Sequence, residues 1–283
     1  MVLLCLIWAL QQIGLRVTAP AASPILQICI RSGVSALLLA WVIRRNGEPL
    51  SLWRESARAG LLAGFLFGFE FLLIGESVRR TTASHVTVFL YTAPLFAALG
   101  LAWFVPSERL SARRWFGMAM AAGGIAIAFL GRRDAGEATL AGDALALAAG
   151  LAWGATTVVV RTSRLATTPA TLTLFYQLVG AFLMPAMVMP WAMPPHFEPT
   201  AFVWAHLAFQ ALVVSFFSYL AWFRLLRIYV AAELGVFSFL TPVFAVVLGW
   251  LLVGERPDAA FALGAVAVLA GVALVTHRPA AKA

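Results

Sequence analysis

The sequence predicts an all-α polytopic membrane protein: ten transmembrane helices arranged as two inverted five-helix repeats. Three observations carry that expectation. The composition is too apolar for water, apolar runs of bilayer-crossing length fill nearly the whole chain, and distinctive residues recur at a nearly constant spacing. Of 283 residues, 62% are apolar and 11% charged, with a mean hydropathy of +0.92. A water-soluble domain of that composition would lack enough polar surface. A hydrocarbon core takes about 20 apolar residues per helical crossing. Segments near that length follow one another with no room for a soluble domain.

Between charged and Pro/Gly-rich breaks, the crossings fall near 2–17, 24–43, 59–78, 84–104, 114–131, 142–161, 169–191, 202–224, 233–253 and 259–276. The first has no charged leader and no small-residue cleavage site, so it reads as a retained helix and not as a removable signal. The third carries Gly60, Gly64 and Gly68, small residues one turn apart that let another helix approach closely. The fourth and ninth contain uncharged stretches, Val86 to Val105 and Leu234 to Val253, each interrupted by one proline, Pro94 and Pro242. Each proline lacks an N–H and displaces the carbonyl four residues earlier, that of Leu90 or Ser238, which bends the helix. Freed carbonyls at membrane depth require protein or a wet cavity beside them. Both prolines are therefore candidate helix kinks.

The net charge of +8 comes from nineteen Arg and one Lys. In a polytopic chain such charge is an orientation signal before it is a nucleic-acid footprint, and no nucleic-acid partner is expected. With the N-terminus inside, inner connections hold 13 basic residues and outer ones six, Arg16, Arg79, Arg80, Arg132, Arg133 and Arg256, while Arg31 lies within a helix. Both termini are then expected in the cytoplasm. Cys5 and Cys29 fall within helices without metal-ligand spacing and read as small buried apolar residues. Neither a metal nor a cofactor is expected.

The recurrence defines two units, 1–135 and 136–283. Trp8 and Trp153, Arg16 and Arg161, and Pro24 and Pro169 are 145 apart; Phe89 and Phe237, and Pro94 and Pro242, are 148 apart. Trp103 and Trp250, Glu108 and Glu255, Gly117 and Gly264, and Gly124 and Gly271 are 147 apart. Five helices per unit is an odd number, so the second unit enters the membrane from the opposite side. Inverted repeats are the architecture of many secondary transporters, with substrate held near the midplane where the halves meet.

The helix-four and helix-nine segments "TAPLF" and "LTPVF", the stretches "PSERLSARRWFGMAMAAGGIAIAFLG" and "VGERPDAAFALGAVAVLAGVALV" that follow, and the early "IWA" and "AWG" resemble the EamA type of the drug/metabolite transporter superfamily. The resemblance covers nearly the whole chain and within the superfamily is nearest to YddG-like amino-acid exporters. It implies a basket of helices in the bacterial inner membrane that moves amino acids or related metabolites outward. The chain departs from the related small multidrug resistance proteins, whose first helix carries an embedded Glu. Gln11 and Gln12 occupy that depth here, which speaks against carrying over the same proton-coupled mechanism.

Candidate substrate-binding residues follow from depth and chemistry. Glu70 lies mid-helix in "GFLFGFEFLLIG", where an ionised side chain costs about 3 kcal/mol or more. It can bind an ammonium, carry a proton or pair with Arg31 of helix two. Trp8, Tyr91, Trp153 and Tyr219 offer apolar contact and a cation-attracting ring face, and Gln11, Thr157 and Ser218 offer hydrogen bonds. His85, at the start of helix four, could contact a carboxylate. Trp41, Trp53, Trp103, Trp115, Trp191, Trp204 and Trp250 read as interfacial belts.

The expected mechanism is alternating access around a cavity formed by helices one, three, four, six, eight and nine. Export of organic cations or drugs is the alternative within transporters. A membrane-embedded transferase or hydrolase is the alternative from another class, and it finds no HExxH, GxSxG or Gly-x-x-x-x-Gly-Lys motif. The expected partners are a small-molecule substrate and membrane lipid; the oligomeric state is not legible.

Overall fold

In lipid, a chain can satisfy its backbone N–H and C=O groups only as closed barrels or helices. The computed structural model describes residues 1–47, 50–105, 110–130, 139–192, 195–228, 237–238 and 240–276. Apart from one isolated bridge between Ala22 and Phe197, the regular structure among them is helical. The first three crossings are α1 (Val2–Thr18), α2 (Pro24–Asn46) and α3 (Leu50–Arg80). The fourth is split into α4 (Ala83–Leu90) and α5 (Ala93–Phe104), and α6 (Ala112–Leu130) is the fifth. In the second half come α7 (Leu140–Thr162) and α8 (Ala170–Ala192). The eighth crossing is α9 (Ala201–Ala208), a π-helical stretch Phe209–Ser218 and α10 (Tyr219–Ile228). The ninth is α11 (Leu240–Leu248) running into a π-helical turn Gly249–Val253, and the tenth is α12 (Ala259–Thr276). Six of these runs are long and apolar enough to cross a membrane, and Val2–Thr18, Leu240–Val253 and Ala259–Val275 are shorter apolar helices. The protein is a multi-pass membrane protein. The 135/136 boundary, Glu108 and residues 233–236 of the expected ninth helix lie outside the described residues.

Local chemistry sets the ends. Thr82, Thr139 and Thr200 cap α4, α7 and α9 by accepting from the amides of His85, Gly142 and Val203 at 3.3, 3.1 and 3.2 Å. Gly47 closes α2 in the left-handed region at φ 64° behind Arg44 and Arg45, whose charge suits a helix C-terminus. Helix three begins nine residues before the expected 59, because Arg54, Glu55 and Arg58 stay exposed while Ser56 turns inward. Tyr176 of α8 anchors this extension by donating its hydroxyl to the Trp53 carbonyl at 3.2 Å.

Two pairs of sequence-equivalent helices run antiparallel, as inverted halves require. Helices two and seven pair so that Cys29 and Gly33 meet Phe182, while Leu39 and Ile43 meet Leu174 and Leu178. Helices five and ten pair with Gly117 facing Gly271 and Gly124 facing Gly264. A Cβ built on Gly117 would lie 2.7 Å from the Gly271 carbonyl oxygen, and one on Gly124 would lie 2.6 Å from that of Gly264. Exchanging each glycine for its repeat partner maps the first contact onto the second, which is what a two-fold axis does. The glycine steps of α3 face α8, where Gly64 and Gly180 bring the two backbones together and Gly68 meets the Gly180 carbonyl.

Pro94 sits in the first turn of α5, and Tyr91 and Thr92 form the break before it. Tighter bonds bridge the gap: Thr92 N–H donates to the Phe89 carbonyl at 3.1 Å and Leu95 N–H to the Thr92 carbonyl at 2.8 Å. The carbonyls of Phe89, Leu90 and Ala93 lie against Gly150 and Gly154 of α7, within 3.0 Å of where a Cβ would be. The freed backbone thus rests on protein. Pro242 is buried in the opening turns of α11; residue 239 before it is outside the described set.

The perimeter is apolar. Trp103 and Trp191 are 86% and 90% exposed, and Trp41, Trp115, Trp204 and Trp250 also face outward. Trp53 differs from the belt expectation: it is half-buried, with its ring edge-on to Phe175 and Tyr176.

Candidate substrate site

The bundle interior holds a band of polar and charged side chains midway along the helices. From α2, Arg31 is 1% exposed; from α3, Glu70 is 4% exposed. Arg31 donates Nη1–H to Gln210 Oε1 at 3.0 Å, and its guanidinium carbon lies 4.4 Å from the Phe71 ring centroid. Stacking on an aromatic face and a side-chain amide together offset part of the cost of burying a cation. Gln210 is itself fixed: its Nε2 donates to the Gln11 carbonyl at 3.2 Å and lies 3.1 Å from His206 Nε2. An amide NH₂ only donates, so the imidazole nitrogen facing it accepts.

Around these charges stand the aromatics. Tyr91, at the break of the fourth crossing, meets Trp153 of α7 edge-on with centroids 5.4 Å apart. Trp8 of α1 meets Trp222 of α10 at 5.7 Å and donates its indole N–H to Ser218 Oγ at 2.9 Å. Tyr91 and Tyr219 pack with Phe67 and Phe71, which flank Glu70 on α3. Glu70 Oε2 and Arg31 Nε, buried, each have no hydrogen-bond partner, and no ion pair joins the two residues among those described.

Several of the expected residues therefore share one region: Trp8, Glu70, Tyr91, Trp153, Ser218 and Tyr219. Gln11 is buried and contributes its carbonyl to the Gln210 network. Thr157 is half-buried and bonds back to the Trp153 carbonyl at 3.1 Å. His85 lies in another cluster, at the start of α4, with Nδ1 3.0 Å from both Asp143 carboxylate oxygens and its ring stacked 3.7 Å from Phe261. Asp143 also accepts from Thr81 Oγ1 at 2.6 Å. Beside it Glu255 accepts from the Ala83 and Ser84 amides at 2.7 and 3.1 Å and from the Ser84 hydroxyl. Two buried carboxylates thus pin this end of the fourth crossing.

Gln210, Asp143 and the capping role of Glu255 are absent from the sequence expectation. Gln210 sits in the π-helical stretch, and nothing in "FQALVVSFFS" marks that geometry locally. Such stretches recur at functional sites. The recurrence of Glu255 with Glu108 was the one available signal for its role.

Residues 1–130 and 140–277 each match the sequence profile of the EamA-like transporter family. The chain belongs to that family. It is 28% identical over 252 residues to an uncharacterized transporter of Archaeoglobus fulgidus, covering 86% of this chain and 84% of that one. It is 22% identical over 275 residues to the uncharacterized transporter YoaV of Bacillus subtilis, covering 96% and 93%. A solved crystal structure superposes with a TM-score of 0.66 at 21% identity, covering 96% of this chain and 94% of the other, which shows a common fold. Family and relatives alike point to a transporter rather than an enzyme, and a transporter binds a small-molecule substrate.

Proposed function

We propose that this EamA-like transporter exports amino acids, aromatic ones among them, or related small metabolites by alternating access. It acts in a bacterial inner membrane with both termini in the cytoplasm, through two halves, 1–135 and 136–283, that rock about the central site. The observation that carries this is Glu70: a buried carboxyl group at mid-helix with an unpartnered oxygen, on the stretch of α3 whose Phe67 and Phe71 pack with Tyr91, Trp153 and Tyr219. A buried polar oxygen without a partner is costly, and a substrate ammonium supplies the missing donor. The neighbouring rings supply the apolar contact that an amino-acid side chain needs.

A bare carboxylate among aromatic rings also suits an organic cation, so efflux of such compounds is the second reading. Counterflow of labelled L-phenylalanine into proteoliposomes separates them. Amino-acid export predicts saturable uptake that unlabelled L-phenylalanine abolishes and methyl viologen leaves intact, with Trp153→Ala and Glu70→Gln each cutting the initial rate at least about tenfold, the equivalent of 1.4 kcal/mol. Uptake of methyl viologen in place of the amino acid would favour the second reading. Wild-type rates in both variants would remove these residues from the site.

A further inference from the structure

We infer that the site is bipolar: Arg31 receives the substrate carboxylate while Glu70 receives its ammonium, so that the transporter selects zwitterions and rejects simple cations. This rests on the amino-acid reading above and deepens it. In the sequence Arg31 is a costly intramembrane charge that either serves function or pairs with Glu70. In the structure it is a buried guanidinium whose Nη1 is held by Gln210 and whose face lies on Phe71, while Nε has no partner. The Oε2 of Glu70, whose chain neighbour Phe71 carries that guanidinium, is also without a partner. No ion pair joins the two among the described residues.

Each orphaned atom calls for a different group. A guanidinium N–H only donates, and its planar fork matches a carboxylate. An ionised carboxylate only accepts, and an ammonium brings three donors. A single α-amino acid carries both groups on one carbon and satisfies both atoms at once. The fork is set in advance, because Gln210 is anchored to the Gln11 carbonyl and to His206. These three are positioning residues: they aim Arg31 without touching substrate. Such preorganisation lowers the ordering cost of binding.

The same geometry acts against the competitor class. An organic cation drawn to Glu70 would lie near a buried guanidinium of like charge, with nothing to satisfy Nε. An interaction that penalises the wrong ligand is a specificity device. A deaminated acid would meet the mirror problem at Glu70.

The test is a competition series against labelled L-phenylalanine in wild-type proteoliposomes, using unlabelled L-phenylalanine, its methyl ester, which lacks the carboxylate, and 3-phenylpropionate, which lacks the amine. The expected result is that ester and acid both compete at least about tenfold more weakly than the amino acid. In Arg31→Lys, which keeps the charge and loses the fork, the gap to the ester narrows and the gap to the acid persists. In Glu70→Gln, which keeps the shape, residual uptake shows the reverse. Equal competition by all three compounds in the wild type overturns the bipolar assignment even if a variant fails to fold. So do folded variants that leave both gaps unchanged. Absence of any L-phenylalanine uptake by the wild type is a different failure, since it removes the amino-acid reading itself and the clamp with it.

Discussion

Gly180→Ala is expected to be the most destabilising addition of a methyl group among the described glycines, at about 3 kcal/mol or more. The new Cβ would fall on the backbone of Gly64, against its carbonyl carbon, oxygen and Cα. A helix backbone cannot rotate away as a side chain can, so α3 and α8 must separate along their whole crossing. Because the tight contact runs on to Gly68 and to Gly60 against Tyr176, the separation also strips van der Waals contact from the neighbouring turns. Gly33→Ala is the control. Its Cβ would lie 2.9 Å from Phe182 Cδ2, part of a ring that is 38% exposed and free to turn, so its cost is expected to be less than half as large. Cys5 and Cys29 are both buried, which makes a thiol-reactive fluorescent dye a direct reporter of unfolding. Gly180→Ala should lower the melting temperature by roughly 5–10 °C, by the usual scaling for chains of this size. Unchanged melting would mean that the two helices do not touch through these glycines.

Asp143→Ala is expected to cost about 3 kcal/mol, and Asp143→Asn less than half of that. Asp143 is fully buried and is the acceptor for Thr81 Oγ1 and the partner of His85 Nδ1. Truncation leaves a hydroxyl and an imidazole N–H buried without that acceptor, whereas asparagine keeps one carbonyl oxygen in place. The loss is local in origin but reaches across the fold, because Ser77 Oγ donates to the Gly142 carbonyl at 2.7 Å and Thr139 Oγ1 to the Arg80 carbonyl at 2.7 Å. These bonds join α3, α4 and α7 at one end of the bundle. The dye assay measures both variants. An alanine variant as stable as wild type would mean that His85 and Thr81 find other partners at no cost, and that the Asp143 cluster does not hold α4.

The crossings were readable because lipid imposes a length and a polarity on each of them. The tenth helix spans the expected 259–276, and the break at Pro94 lies where a missing N–H requires it. The tryptophans expected at the interfaces face outward, except for Trp53, which the extension of α3 draws inward onto Tyr176. The residues that escaped the sequence are those whose role depends on a partner far along the chain. Asp143 looks like an ordinary helix-start acid until Thr81 and His85 are beside it. Gln210 looks like one polar residue in an apolar run until a π-helical stretch turns it onto Arg31. Arg31 and Glu70 were legible as costly charges, but sequence alone leaves open whether they neutralise one another. Their separate, unfinished hydrogen bonding is a property of three-dimensional placement.

Alternating exposure of the central site is most directly tested at Thr157, half-buried one turn beyond Trp153 on α7. A Thr157→Cys variant, with Cys5 and Cys29 replaced by serine, is to be treated with a membrane-impermeant maleimide in right-side-out and in inside-out vesicles. Labelling from both sides, slowed by L-phenylalanine in each case, is the result expected of a site enclosed by two rocking halves. Labelling from one side alone, or labelling indifferent to the amino acid, would contradict it.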